Sequence, residues 1–209
     1  MPGFEHFGKE EIKEVNDVLE TGILMRYGFD GPRKGIWKAK ELEAAICETF
    51  GCKHAQLLSS GTAALTTAMS ALGIGYGDEI ILPSFTFVAS FEAVISVGAI
   101  PVFVDVDDTL TLNPTAVRNA ITSKTKCIMP VHMCGSMADM DALQSICKEH
   151  DLILLEDACQ SIGGTYKGKK LGTIGDAGTF SFDFVKTITC AEGGVVMTNN
   201  ADVHTKCDG

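Results

Sequence analysis

Runs of apolar residues recur along the chain at a nearly constant spacing. Five such runs begin at His54, Glu79, Pro101, Lys126 and Leu152, at intervals of 25, 22, 25 and 26 residues. Each interval is long enough for one strand and a crossover helix. The apolar residues within a run are continuous rather than alternating, which predicts strands that are buried on both faces. The pattern therefore predicts an α/β fold with a mainly parallel sheet flanked by helices.

Between these runs the apolar positions change to a helical period. In the first interval Leu65, Met69 and Leu72 share one helix face. The same spacing recurs in two later intervals, in Phe87, Phe91 and Val94 and in Met140, Leu143 and Cys147. Asn113-Pro114 is typical of an N-cap followed by a first-turn proline, so a short helix is expected to begin there.

Two amphipathic helices are predicted ahead of the first strand. One carries Ile12, Val15 and Leu19 and ends at Gly22, and the other ends at Gly51. The second helix carries its apolar face in Leu42, Ile46 and Phe50. The glycine-rich, basic stretch RYGFDGPRKG between them, residues 26–35, is expected to be a loop. We see no internal domain boundary.

Charge and cysteine usage narrow the function classes. The formal net charge of −10 and the pI of about 4.9 argue against a nucleic-acid or acidic-membrane partner. Eight scattered cysteines without a C-x-x-C pair, and no signal peptide at the start, indicate reduced thiols in a cytoplasmic protein. No apolar stretch approaches the roughly 20 residues that span a bilayer.

Polar residues follow the apolar runs at the places where a parallel sheet binds its ligands, the carboxyl ends of the strands. Residues 59–62 (SSGT) follow the first run, 84–87 (SFTF) the second, His132 the fourth and 156–160 (EDACQ) the fifth. Lys186 follows the later run GTFSF. All of these groups are therefore expected at one edge of the sheet.

Each of these residues also has an ordinary structural explanation. Lys186 can be a surface lysine after a strand, Ser60 a simple helix N-cap, and Phe87 a core aromatic. The functional alternative makes Lys186 a nucleophilic amine and the helix that opens at Gly61 a phosphate site. Asp157 closes a buried strand, so its carboxylate needs a cationic or hydrogen-bonding partner.

Together the functional alternatives describe one ligand. A phosphate, a flat ring, a basic ring nitrogen and a carbonyl for Lys186 are the parts of pyridoxal 5′-phosphate, which lysine binds as a Schiff base while an Asp pairs with the ring nitrogen. The sequence therefore predicts a pyridoxal phosphate site.

Four motifs carry a resemblance that extends over nearly all 209 residues: SSGTAAL, PSFTFVAS, EDACQSIG and FSFDFVKTITCAEGG. With them the chain resembles the DegT/DnrJ/EryC1/StrS family of sugar aminotransferases, which implies the large domain of the fold-type I architecture of pyridoxal phosphate enzymes. By that resemblance Lys186 is the catalytic Schiff-base lysine. The resemblance also implies the remaining cofactor contacts: Asp157 on the ring nitrogen, Gln160 beside the ring, Phe87 stacked on it, and Gly61, Thr62 and Ser181 on the phosphate.

The resemblance implies more about substrates and assembly. FDFVKT and VHMCGS look most like transaminases that place an amine at C8 of a 3-deoxy-octulosonate for lipopolysaccharide. An amino donor, glutamate, a keto or aldehyde sugar and a homodimer are implied as partners. A sugar dehydratase or lyase of the same fold and a non-catalytic regulator that binds the cofactor remain alternatives.

The chain departs from the family pattern in three respects. Ala191 stands where the family often has glycine, which costs about 1 kcal/mol if the position needs a positive φ. The chain stops at Gly209, so we expect residues 1–209 to be an N-terminal segment plus the large domain, without the small C-terminal domain. The chain has only three arginines, Arg26, Arg33 and Arg118, and Arg26 and Arg33 are the candidates to bind substrate carboxylates, although both can equally be solvated loop charges.

Two other functional sites are considered and disfavoured. Residues 163–170 (GGTYKGKK) resemble a nucleotide-binding loop, but Lys170 stands at the Ser/Thr position, and a surface hairpin is expected instead. His132, Cys134, Cys147 and His150 match no zinc spacing, so core thiols and a helix-end histidine explain them better.

Overall fold

The computed structural model describes residues 3–208 and contains eight α-helices and nine strands in that range. The helices are α1 Lys9–Thr21, α2 Asp30–Arg33, α3 Lys38–Phe50, α4 Gly61–Ala71, α5 Val88–Ser96, α6 Pro114–Ala120, α7 Met140–His150 and α8 Ala201–Asp208. The strands are β1 His54–Leu58, β2 Glu79–Pro83, β3 Ile100–Val104, β4 Thr125–Ile128, β5 Ile153–Asp157, β6 Thr165–Tyr166, β7 Lys169–Lys170, β8 Ala177–Ser181 and β9 Gly194–Thr198. Two short 3₁₀ segments lie at Gly3–His6 and Met133–Gly135.

Seven strands form one sheet in the order β1-β9-β8-β5-β4-β2-β3. The four pairs from β8 to β3 are parallel, whereas β9 runs antiparallel to both of its neighbours, β1 and β8. Six strands therefore point the same way, and their carboxyl ends share one edge. This confirms the prediction of a mainly parallel sheet.

The strand β9 has no counterpart in the sequence prediction. Its residues, GVVMT, are as apolar as the other runs and all five are buried. It inserts between β1 and β8, so β1 lies at an edge of the sheet beside an antiparallel neighbour. The direction of a fully buried strand is not encoded in its own side-chain pattern, because burial on both faces looks the same in either orientation.

Helices cover both faces of the sheet. Along β2 the side chains alternate: Ile80 and Leu82 pack in the core cluster with Leu65 and Met69 of α4, and Ile81 packs in a second cluster with residues of α6 and α7. The predicted apolar faces of α4 and α7 are thus buried, as expected. A third cluster joins α3 to β1, β8 and β9.

Three local expectations need correction. Helix α1 forms, but Ile12, Val15 and Leu19 are each more than half exposed, so its apolar face has no partner within residues 3–208. Phe87 caps α5 rather than sharing its buried face, and is 56% exposed. The stretch at residues 26–35 is not wholly a loop, because α2 forms one turn within it.

The candidate nucleotide-binding loop is a surface hairpin. Strands β6 and β7 pair antiparallel. The two residues between them, Lys167 and Gly168, both have positive φ, at 49° and 83°, as a tight hairpin turn requires. No helix in residues 3–208 has the length and apolar character to cross a membrane.

Candidate cofactor-binding site

A cavity of about 560 Å³ opens at the shared carboxyl edge of the sheet. Its walls come from the ends of β1, β5 and β8, the first turns of α4 and α5, and the segment between β8 and β9. All seven residues proposed from the sequence as cofactor contacts line it: Gly61, Thr62, Phe87, Asp157, Gln160, Ser181 and Lys186. The structure brings these seven residues together at one cavity, and their roles stay predictions.

The first turn of α4 forms one pole of the cavity. Ser60 caps the helix by accepting a hydrogen bond from the Ala63 N–H at 3.0 Å, so the N-cap explanation also holds. The N–H groups of Gly61 and Thr62 have no hydrogen-bond partner within residues 3–208. Unpaired N–H groups at a helix N-terminus are a ready anion site.

Close packing explains the glycine at the start of this helix. A Cβ on Gly61 would lie 2.7 Å from the Cβ of Ser181 and 3.2 Å from the Cys159 sulfur. Gly194, at the start of β9, approaches the Ser60 carbonyl in the same way, since its Cβ would lie 2.2 Å from that oxygen. The two glycines therefore allow β8, β9 and α4 to meet, which brings the Ser181 hydroxyl beside the helix N-terminus.

Asp157 is the last residue of β5 and is 4% exposed. Its carboxylate accepts a hydrogen bond from the Ser90 hydroxyl at 2.7 Å and another from the Cys159 N–H at 3.2 Å. A carboxylate offers about four lone-pair positions, so two of these remain for a ligand. Burial, and next the Asp157 charge, raise the pKa of the Cys159 thiol well above its ordinary value, so this thiol is neutral.

Lys186 lies in the segment that connects β8 to β9. Its side chain is half-buried, so the amine is not enclosed as deeply as its position after a strand suggests. The amine lies 5.8 Å from the centre of the Phe87 ring, which it faces. Lysine and ring therefore stand on opposite sides of a space that a flat ligand can enter.

The N-terminal residues hold this lysine segment. The Gly3 N–H donates to the Lys186 carbonyl at 2.8 Å, and the Phe4 ring stacks on Phe184 with centroids 4.4 Å apart. A Cβ on Gly3 would lie 2.5 Å from the Thr187 carbonyl oxygen. The backbone on either side of the lysine is thus fixed by a contact that only glycine allows.

Two further candidates from the strand ends prove to be structural. His132 is fully buried, and its Nε2 lies 3.2 Å from the carboxylate of Glu156, which is also fully buried. The Ala138 N–H donates to the other ring nitrogen at 3.4 Å, so Nε2 carries the proton and donates to Glu156. Neither side chain lines the cavity.

With this geometry established, comparison with known proteins identifies the family. The profile of the DegT/DnrJ/EryC1/StrS aminotransferase family matches residues 5–208. The chain belongs to this family.

Solved structures agree with that assignment. The chain is 36% identical to an aminotransferase from Psychrobacter cryohalolentis, with a TM-score of 0.89 over 96% of this chain and 50% of that one. The chain is 38% identical to 3-amino-5-hydroxybenzoic acid (AHBA) synthase, with a TM-score of 0.87 over 97% of this chain and 50% of that one. It is 32% identical to PseC, a Helicobacter pylori aminotransferase involved in pseudoaminic acid biosynthesis. The TM-score is 0.87 over 97% of this chain and 53% of that one. The chain spans about half the length of these structures.

The departure from the family pattern at Ala191 has a structural consequence. Ala191 has φ of +71°, in the left-handed region where glycine is unstrained. The Thr189 hydroxyl accepts a hydrogen bond from the Ala191 N–H at 3.0 Å and donates to the Phe182 carbonyl at 3.1 Å. The DegT/DnrJ/EryC1/StrS chain thus retains the turn here in spite of the alanine.

The arginines do not serve the cavity. Arg26 pairs with Glu43 at 2.7 Å, although this contact lacks hydrogen-bond geometry, and Arg118 pairs with Glu149 at 2.6 Å. Arg33 is buried and donates to the carbonyls of Gly28 and Met25. The expectation that Arg26 and Arg33 bind substrate carboxylates is not supported for residues 3–208.

The charges that line the cavity are mostly negative. Asp157, Asp183 and Glu192 carry carboxylates, and Lys186 is the one cationic side chain among the lining residues within 3–208. Gln160 also lines the cavity, and its Oε1 accepts a hydrogen bond from the Cys134 N–H at 3.0 Å. The N-terminus of α4 therefore favours an anionic group of a ligand, and the carboxylate of Asp157 favours a cationic group.

These features fit pyridoxal phosphate, the cofactor of this family of aminotransferases. The free N–H groups at the start of α4, with the Ser181 hydroxyl packed beside them, suit a phosphate. The buried carboxylate of Asp157 with lone pairs to spare suits a protonated ring nitrogen, and the exposed face of Phe87 suits a flat ring.

Proposed function

We propose that this chain carries the cofactor site of a pyridoxal phosphate-dependent aminotransferase that acts on a keto or aldehyde sugar. The observation that supports this most is the arrangement within one cavity. A helix N-terminus, a buried carboxylate, an exposed aromatic face and a lysine amine converge there from four separate parts of the sequence. Each of these groups alone has an ordinary explanation, but together they match the parts of one molecule.

In this proposal each residue has a distinct task. When bound, pyridoxal phosphate supplies an aldehyde that takes up amines and a ring that withdraws electrons. Gly61, Thr62 and Ser181 bind the phosphate, and Phe87 covers one face of the ring. Asp157 holds the proton on the ring nitrogen, because a buried carboxylate strongly favours a neighbouring cation.

Lys186 has two roles in the proposed reaction. Its Nζ would hold the aldehyde of the cofactor and would give way to the amine of the donor. The free Nζ then removes the proton from Cα of the donor as a general base. The half-buried position of Lys186 opposite Phe87 suits both roles, because the amine reaches the cavity while the Gly3 N–H holds the backbone carbonyl of the lysine.

The substrates follow from the same resemblance. We infer glutamate as the amino donor and an 8-oxo-3-deoxy-octulosonate of lipopolysaccharide biosynthesis as the sugar. The support is the resemblance of FDFVKT (residues 182–187) and VHMCGS (residues 131–136) to such transaminases. Both stretches lie at or beside the cavity, since Val131, Asp183 and Lys186 line it.

A cytoplasmic homodimer is part of the same proposal. Helix α1 leaves Ile12, Val15 and Leu19 exposed, and the lysine segment leaves Val185 and Ile188 exposed. Clusters of exposed apolar residues are typical of protein interfaces. A second copy of the chain is the partner that the family resemblance implies.

Absorbance spectroscopy of the full-length protein tests the proposal. With pyridoxal phosphate the protein should gain the visible band of the lysine-bound cofactor, and glutamate should convert this band to that of pyridoxamine phosphate. Lys186→Ala should lack the band, and Lys170→Ala in the β6–β7 hairpin is the matched control that should keep it. A band that glutamate does not convert would favour the dehydratase, lyase or regulator instead.

A further inference from the structure

The Asp157 carboxylate is the acceptor at the end of a short chain of hydroxyl groups, formed by the buried Ser90 of α5 and the half-buried Thr86 that precedes this helix. The Thr86 hydroxyl lies 2.7 Å from the Ser90 hydroxyl, which lies 2.7 Å from Asp157 Oδ2. Ser90 is 1% exposed and Asp157 4%. Thr86 and Ser90 are four residues apart, whereas Asp157 lies 67 residues beyond Ser90, so the fold brings the carboxylate to the hydroxyl pair.

The direction of this hydrogen-bond chain is fixed by chemistry. An ionised carboxylate only accepts, so the Ser90 hydroxyl must donate its single proton to Asp157. Ser90 then has only its lone pairs to offer, so Thr86 must be the donor to Ser90. The other acceptor near the Thr86 hydroxyl is the Phe87 carbonyl, at a longer 3.4 Å. Both donated protons therefore point toward the carboxylate.

We propose that Ser90, oriented by Thr86, is a positioning residue that holds the carboxylate of Asp157 aimed at the ring nitrogen of the cofactor. A hydroxyl that donates to a buried carboxylate stabilises the charged form. It also fixes the carboxylate plane, since the Cys159 N–H holds the other oxygen. This inference rests on the proposed function, because it assigns Ser90 a task only if Asp157 meets a ring nitrogen.

The same bonds couple two walls of the cavity. Thr86 precedes Phe87, the N-cap of α5, and the Ser90 N–H donates to the Phe87 carbonyl at 3.0 Å. A shift of Ser90 would therefore move both the Asp157 carboxylate and the Phe87 ring. Ser90 and Phe87 both line the cavity, which places the coupling at the site itself.

Ser90→Ala in the full-length holoprotein tests the inference, with pyridoxal phosphate labelled with ¹⁵N in its ring as the probe. A hydrogen bond to a charged group is worth about a factor of ten or more. We expect the dissociation constant of the cofactor to rise about tenfold and the ¹⁵N resonance to shift toward the unprotonated ring. Ser90→Thr, which keeps the hydroxyl, should restore the wild-type resonance, and Thr86→Val should move it in the same direction as Ser90→Ala but less.

Ser96→Ala is the matched control, because Ser96 lies on the same helix and its exposed hydroxyl bonds only the Glu92 carbonyl. A wild-type ¹⁵N resonance in Ser90→Ala and Thr86→Val would overturn the inference, even if either variant is less stable. Should Ser90→Ala not fold, Thr86→Val alone decides. If the wild-type protein binds no cofactor, the proposed function itself fails, which is a different result.

Discussion

Glu156 and Asp157 are adjacent carboxylates on one strand, yet their surroundings differ completely. Glu156 accepts hydrogen bonds from the N–H groups of Gly172, Ile174 and Gly175 at 2.8, 2.6 and 2.8 Å and from His132. Within residues 3–208 the Asp157 carboxylate accepts only two, and it faces the cavity. A carboxylate whose lone pairs all accept hydrogen bonds from the protein stabilises the fold. A carboxylate with free lone pairs can also accept from a ligand.

The pleat of β5 explains the contrast. Successive side chains of a strand point to opposite faces, so residues 156 and 157 enter different environments. Glu156 binds the segment that leads into β8, and Asp157 lies where β5 meets the end of β8 and the start of α5. The comparison teaches that burial of a charge does not by itself mark a functional site. The number of hydrogen-bond donors that already contact a buried carboxylate is a better guide to whether it can bind a ligand.

The largest expected effect comes from Glu156→Gln. This change leaves at least one buried N–H donor without its charged acceptor, and each such unpaired buried donor costs about 1–3 kcal/mol. The free energy of unfolding, measured by urea denaturation without cofactor, should fall by about 3 kcal/mol. Glu149→Gln, at an exposed ion pair, is the control and should change it by less than about 1 kcal/mol. Equal effects of the two changes would refute the structural role of Glu156.

Asp157→Asn should give the opposite pattern. The neutral amide can still accept from Ser90, so we expect only about 1 kcal/mol of stability to be lost. The dissociation constant of pyridoxal phosphate, measured by absorbance titration, should rise about a hundredfold, since a buried contact between opposite charges is lost. Asp139→Asn, at the N-cap of α7 outside the cavity, should leave it unchanged. Binding of the cofactor by Asp157→Asn as tightly as by the wild type would contradict the ligand-binding role of Asp157.

The free energy of unfolding should fall at alkaline pH because of the Cys159 thiol, which lies beside Asp157. Burial raises the pKa of Cys159 in the folded chain, so above about pH 9 the unfolded chain loses a proton that the folded chain keeps. The stability that this thiol contributes is complete below the unfolded pKa and falls by up to about 1.4 kcal/mol per pH unit above it. Between pH 8 and pH 10, the free energy of unfolding measured by denaturation should fall less steeply for Cys159→Ala than for the wild type. A matching change in Cys134→Ala, which removes an exposed thiol, would count against this origin.

The smallest effect is expected at the strained turn after Lys186. Ala191→Gly relieves the cost of a positive φ, so the free energy of unfolding should rise by about 1 kcal/mol or slightly less. Ala142→Gly, within the regular helix α7, should lower it by about the same amount. A loss of stability in Ala191→Gly would show that the turn is not strained in solution.

The sequence predicted the strand ends and the residues that follow them, but not which of those residues are functional. Strand and helix periods placed Thr62, Asp157 and Lys186 at one edge, because parallel strands share a direction. The same logic also selected His132, which is buried and paired with Glu156. Continuous apolar strands give no signal for which face opens to a cavity, so neighbours such as residues 156 and 157 look alike.

Contacts between distant segments were beyond the sequence pattern. The Ser90–Asp157 bond and the contact of Gly3 with the Lys186 carbonyl join residues that no periodicity relates. The apolar face of α1 was correctly predicted as a helix face, but a pattern names no partner, and within residues 3–208 that face stays exposed. The insertion of β9 between β1 and β8 was missed for the same reason, because it depends on the pairing of strands.

One measurement tests the central claim most directly, that Asp157 and Lys186 serve a single bound pyridoxal phosphate. The full-length holoprotein is treated with borohydride, which fixes the cofactor to the amine that holds it, and the modified peptide is located by mass spectrometry. The account predicts one stoichiometric pyridoxyl group on Lys186, with much less labelling in Asp157→Asn at limiting cofactor. A label on another lysine, or none at all, would contradict it.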